Sequence, residues 1–157
     1  MSFLCGMVSS AYHGACRNSF NATVSSYFLN SDWFKQMAKA ADLAEEYMPQ
    51  ELDPCKMFIF GAVAGATKGL TTELLEATDR STLNIQKNYG FIFKVCALGI
   101  AFFTAYKATA YFSERLGYPG ELTHSIMMVE SVDLMHQLLF YKVKPAPHPH
   151  PHWGRRV

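Results

Sequence analysis

The chain has 157 residues, of which 50% are hydrophobic and only 17% charged, against roughly 25% charged in an average soluble protein. That composition excludes an intrinsically disordered chain, and 14 basic against 13 acidic residues, a net charge of +1, offer no electrostatic footprint for nucleic acid. Cys5, Cys16, Cys55 and Cys96 are scattered, so free, reduced thiols are expected rather than a disulfide framework.

Residues 3 to 29 are weakly apolar and broken by His13, Arg17, Asn18 and Asn21. A helix is expected there, but no isolated lipid-facing span, because Arg17 needs a partner or a route to the interface. Asn21-Ala22-Thr23 matches a glycosylation acceptor, and without a signal peptide ahead of it the match is read as accidental. Ser31 or Asp32 is placed to cap a helix running to about Met48, stopped by Pro49. Phe34, Met37, Ala38, Ala41 and Ala44 recur at helical spacing, with Asp42, Glu45 and Glu46 opposite, so this element is expected to face water.

Residues 57 to 72 carry the first strong pattern. Gly61, Gly65 and Gly69 lie four apart, with Ala62 and Ala66 alongside, which puts three missing side chains on one helical face. Three glycines within one helix cost about 2 to 3 kcal/mol relative to alanine, and close helix packing would offset that loss. A phosphate-binding loop fails on register, since Thr67-Lys68-Gly69 inverts the Gly-Lys-Ser/Thr order. A polar link is expected over 73–87.

Residues 89 to 112 carry the second. At 1.5 Å per residue they reach about 36 Å, beyond a hydrocarbon core of about 30 Å. Lys94 and Lys107 are the interruptions, near opposite ends, and aromatics gather at both ends. Ala97, Ala101, Ala105 and Ala108 form a small-residue stripe suited to face the glycine stripe. The uncharged stretch between the lysines is only twelve residues, so a buried hairpin of a soluble protein is the competing reading. Lys68, Lys94 and Lys107 are assigned to lipid or interface contact, with pairing to neighbours as the alternative.

Gly117-Tyr118-Pro119-Gly120 breaks the chain. Thr123 or Ser125 then caps an amphipathic helix to about Lys142. Met128, Val132, Met135, Leu138 and Leu139 form one stripe. Glu130, Asp133 and His136 or Gln137 form another, read as surface polar residues or an intersubunit salt-bridge patch, because no second Glu-x-x-His exists to complete a metal site. The tail is extended by Pro145, Pro147, Pro149 and Pro151. It forms an arm expected to dock on a partner through those prolines, His148, His150, His152, Trp153, Arg155 and Arg156. Alternate residues of a polyproline helix do not share a face, so the histidines are not a preorganised metal site.

Gly61-Ala-Val-Ala-Gly65-Ala-Thr-Lys-Gly69-Leu-Thr-Thr and Asn88-Tyr-Gly90, within four helical segments, resemble the small four-helix proteins of the mitochondrial inner membrane. That family includes subunits of the presequence translocase and an accessory subunit of respiratory complex I. The resemblance implies a structural or assembly role, with lipid and neighbouring subunits as ligands, and no catalytic residue.

The expectation is therefore an all-α membrane protein, with spans at about 57–77 and 89–112 and flanking amphipathic helices. Residues 1–144 would form one helical domain and 145–157 the arm. It would serve as a non-catalytic accessory subunit of a respiratory complex of the mitochondrial inner membrane, multi-pass. No catalytic, cofactor or metal site is expected, although a structural phospholipid is compatible with the pattern. A soluble all-helical interaction module and a translocase or transporter-like component are the alternatives.

Overall fold

The computed structural model describes residues 3–42, 52–83, 85–118 and 120–140. They form five helices and no strand among the described residues: α1 (Phe3–Asn30), α2 (Asp32–Ala40), α3 (Pro54–Thr78), α4 (Ile85–Arg115) and α5 (Gly120–Leu139). The proline-rich arm, including every arm residue assigned to partner docking, lies outside the described residues.

Each boundary has a local cause. Ser31 accepts from the Phe34 amide with its side chain and starts α2. That helix ends at Ala40, not near Met48, because Asp42 takes a left-handed backbone (φ 55°) that no helix continues through. Residues 43–48 lie outside the described set. Asp53 accepts from the Cys55 amide and Pro54 opens α3, where its missing N–H costs nothing. The polar link expected over 73–87 is largely helical: α3 runs to Thr78 and Asp79–Leu83 makes a π-helical turn. The buried Asp79 carboxylate then accepts from the Ile85 amide at 2.7 Å, capping α4. Gly117 (φ 69°) ends α4, with the Tyr118 amide returning to the Ser113 carbonyl at 2.9 Å. Gly120 begins α5, so Thr123 and Ser125 are buried inside that helix rather than capping it.

The four long helices alternate in direction. Ser10 meets Glu73 and Asn18 meets Gly61, so α1 and α3 are antiparallel. Thr71 and Thr104 share a hydrogen bond at 3.0 Å, and Lys94 meets Glu76 at 3.1 Å, fixing α4 antiparallel to α3. α3 is central, packed most extensively on α1 and then on α4, while α1 and α4 do not pack on each other. α5 returns along the other three.

The glycine stripe therefore faces α1, where the alanine stripe of α4 was expected. A side chain at Gly61, Gly65 or Gly69 would run into the backbone of Asn18, Gly14 or Ser10. Ala97, Ala101 and Ala105 are buried instead on the inner side of α4, and Ala105 joins Met57, Phe60, Ala64 and Ile126 in the apolar core.

Among the described residues one helix, Tyr89–Arg115, is long and apolar enough to cross a membrane, with a mean hydropathy of 1.6 over its best window. It begins at Tyr89, where the backbone of α4 kinks out of helical angles. α3 does not qualify as the second span, because Lys68, Glu73 and Glu76 interrupt its C-terminal half.

Candidate functional site: a buried charge cluster and two lateral clefts

Polar side chains line the interior. Lys68, at mid-length of α3, donates from Nζ to Glu130 Oε2 at 2.7 Å and to Asp133 Oδ2 at 2.5 Å. The Asn18 amide donates to Glu130 Oε1, and Arg17 Nη2 donates to Asp133 Oδ1. Gln137 Nε2 adds a bond to Asp133 Oδ2 at 2.7 Å. Glu130 is 2% exposed, Asp133 7% and Lys68 9%. Two cations face two anions, all four carboxylate oxygens accept, and three helices are tied together. Such a cluster adds little net stability, because the cost of removing four charges from water offsets most of their attraction.

A second set lies toward the α3–α4 turn. Glu73 accepts from Ser10 Oγ at 3.3 Å and from Arg80 Nη2 at 2.9 Å, and Lys94 pairs with Glu76. Hydroxyls elsewhere turn back on their own helix: Thr67 to Val63, Thr109 to Ala105 and Ser131 to Met127, each at 2.7 to 2.8 Å. Among the described residues the buried Thr123 hydroxyl has no partner.

The outer surface is the reverse. Val8, Tyr12, Phe20, Val24 and Tyr27 on α1 are exposed, as are Phe58 and Ile59 on α3, Ile92, Ile100 and Phe103 on α4, and Met128, Val132 and Met135 on α5. Only 22% of the apolar window of α4 is buried, unlike the core helix of a soluble protein, which is mostly enclosed. Exposed apolar patches on soluble monomers seldom exceed a few hundred Å². Here such side chains occur on every long helix.

These positions correct two expectations. Glu130 and Asp133 are neither solvent-facing nor part of an intersubunit patch, because Lys68, Asn18 and Arg17 enclose them within one chain; His136 of that stripe stays exposed, its ring against Phe140. Of the lysines assigned to lipid or interface contact, Lys68 is in the cluster and Lys94 is turned to Glu76. Lys107 remains exposed, lying over Phe103 and Tyr106 with its Nζ 5.5 and 5.9 Å from their ring centres. The role of Arg17 in closing the cluster was signalled by its lack of any partner within its own segment.

Two clefts meet at Arg17 and Asp133, one walled by α1, α3 and α5 and the other by α1 and α5. One, about 360 Å³, is polar and runs past Ser10, His13, Thr72, Glu73, Glu76 and Gln137. The other, about 600 Å³, is apolar and runs past Phe20, Val24, Phe28, Phe34, Val129 and Val132. Among the described residues no group of three or more His, Cys, Asp or Glu side chains is placed to hold a metal. No protein-family profile, curated protein or solved structure matches the chain.

Proposed function

We propose that this chain is a non-catalytic helical subunit of a membrane assembly, with α1, α3 and α5 accompanying α4 in lipid. The observation that carries the reading is the inverted distribution of polarity: paired charges at the centre of the bundle and aromatic and aliphatic side chains on its outside. In water this exposes the wrong surface. In lipid it satisfies both requirements, since intramembrane ionisable groups face the interior and pair with one another. Self-bonded hydroxyls and small-residue contacts between α1 and α3 fit the same solvent. It also explains how α3 lies in lipid although its hydropathy falls short. Its Lys68 is neutralised by Glu130 and Asp133 of α5, Glu73 by Arg80 and Glu76 by Lys94, and Ser10 adds a hydrogen bond to Glu73.

The mitochondrial inner membrane and a respiratory complex, complex I among them, enter through the resemblance of the glycine-stripe segment. Neighbouring subunits and structural phospholipid are the ligands this reading assigns, the proline-rich arm docking on a subunit. Carbonate extraction of membranes containing the full chain tests its core: retention in the pellet is expected, and release into the soluble fraction overturns it and favours a soluble interaction module. The polar cleft favours one second reading, a translocase or transporter-like component with Glu73 and Glu76 lining a path. Solute or peptide passage through liposomes containing the purified chain alone would support that reading against a scaffold.

A further inference from the structure

The polar cleft begins near the α3–α4 turn and ends at mid-bundle. Glu76 lies two residues from the C-terminal end of α3, and Lys68 eight residues further in, about 12 Å along the axis. α1 supplies Ser10, His13 and Arg17 over a similar length, and α5 supplies Gln137 and then Asp133. Polar side chains therefore mark the whole descent, and the paired Lys68 and Asp133 form its floor. Past that floor the interior closes: Ala64, Phe60 and Met57 of α3 and Ile126 of α5 are at most 1% exposed.

Groups facing this cleft still need partners. Arg17, at mid-length of α1, has a side chain that is 52% exposed. A guanidinium has five N–H donors, and among the described residues Asp133 is the one acceptor that Arg17 reaches. Thr67 and Thr71 turn their hydroxyls back on their own helix, whereas among the described residues Thr72 makes no such bond and the His13 ring meets the Tyr12 ring alone. Hydrocarbon offers these groups nothing, and a half-exposed guanidinium at mid-bundle is costly there. The polar lining leads outward to one end of the bundle, so water from that end is the partner that reaches them.

We propose that the polar cleft is a one-sided aqueous vestibule, admitting water and small hydrophilic solutes from the α3–α4 turn to Arg17 at mid-bundle. This rests on the membrane reading above and deepens it, since the vestibule is a dead end and not a path across the bilayer. The exposed donors of Arg17 then draw their water from one compartment, while the apolar core shuts out the other.

The test is cysteine accessibility in phosphatidylcholine liposomes, on the full chain with Cys5, Cys16, Cys55 and Cys96 replaced by alanine. The probe is a membrane-impermeant, cationic methanethiosulfonate added from outside. Ser81→Cys marks the α3–α4 turn, Lys35→Cys marks α2 at the opposite end, and Ile100→Cys marks the outer side of α4, all at exposed positions. Thr72→Cys and Ser10→Cys report on the cleft, each exchanging a hydroxyl for a thiol, so that either decides if the other does not fold. Both should react at least about 100-fold faster than Ile100→Cys, because apolar surroundings disfavour the reactive thiolate. Liposomes hold both orientations, so cysteines are paired and modification is counted per molecule by intact mass. Thr72→Cys with Ser81→Cys should give molecules modified twice or not at all, and Thr72→Cys with Lys35→Cys should give one modification per molecule. Cleft cysteines as slow as Ile100→Cys overturn the proposal, the result expected if lipid tails fill the cleft. Two modifications per molecule with Lys35→Cys also overturn it, in favour of a path through the bundle. In both cases a slow Ile100→Cys leaves the membrane reading standing, whereas Ile100→Cys as fast as Ser81→Cys removes that reading and the vestibule with it.

Discussion

Replacing Gly65 with alanine isolates the packing that holds α1 to α3. A Cβ built at Gly65 lies 2.6 Å from the Gly14 carbonyl carbon, 2.7 Å from Asn18 Cβ, and closer still to the Gly14 carbonyl oxygen. Ordinary contact begins at 3.4 Å, and the obstructing atoms are mostly backbone, which cannot swing aside as a side-chain tip can. The two helices must part, and because Gly61 and Gly69 also approach α1 more closely than a Cβ allows, the whole face opens. Overpacking costs about 1 to 3 kcal/mol, with the upper end expected for backbone against backbone. Alanine returns at most about 1 kcal/mol of helix propensity. The net is a loss of about 2 kcal/mol, accompanied by slackening of Asn18 and Arg17 on Glu130 and Asp133. Gly99→Ala is the matched control: its Cβ meets nothing within 4 Å, so only the propensity gain of up to about 1 kcal/mol remains. Thermal unfolding of the full chain in one detergent, followed by circular dichroism, compares the two. Gly65→Ala unfolding at or above the wild-type temperature would refute the close approach of α1 and α3, whatever Gly99→Ala does.

Lys68→Met leaves Glu130 and Asp133 with Arg17 as their one cation and should destabilise the chain by about 3 to 5 kcal/mol, measured by the same unfolding assay. Adding Glu130→Met restores charge balance with a side chain of similar size and should recover most of that loss, since balanced apolar replacement of buried pairs is often neutral. A double variant no more stable than Lys68→Met would mean that the cluster is not held by charge balance. Asp79→Ala removes the cap on α4 and should cost about 1 to 2 kcal/mol, with hydrogen exchange accelerating first at the Ile85 amide. Lys107→Leu, changing an exposed group that lies over two rings, should alter stability by no more than about 0.5 kcal/mol.

The all-helical architecture was legible because periodicity, caps and breakers are local: Ser31, Gly117 and the apolar run from Tyr89 show themselves without reference to any neighbour. The glycine face was legible for the same reason, but its partner was not. The matching surface on α1 is Ser10, Gly14, Asn18 and Ala22, also four apart, and two of its members are polar. A search for small apolar residues therefore selected the alanines of α4. The charge cluster was hidden by a deeper ambiguity. Amphipathic spacing on α5 separates Met128, Val132 and Met135 from Glu130 and Asp133, but periodicity is symmetric: it says that two faces differ, not which one is inside. With no second Glu-x-x-His to complete a metal site, the carboxylates were placed at the surface. The missing signal was a sum over helices. Arg17 and Lys68 each sit near the middle of a long helix without an opposite charge on that face, and Glu130 and Asp133 sit three apart in the middle of another. Two unpaired cations and two unpaired anions in otherwise apolar segments cancel only if those faces turn toward one another. Once they do, the aromatic and aliphatic faces have nowhere to point but outward, and that exterior is what the proposed membrane reading rests on.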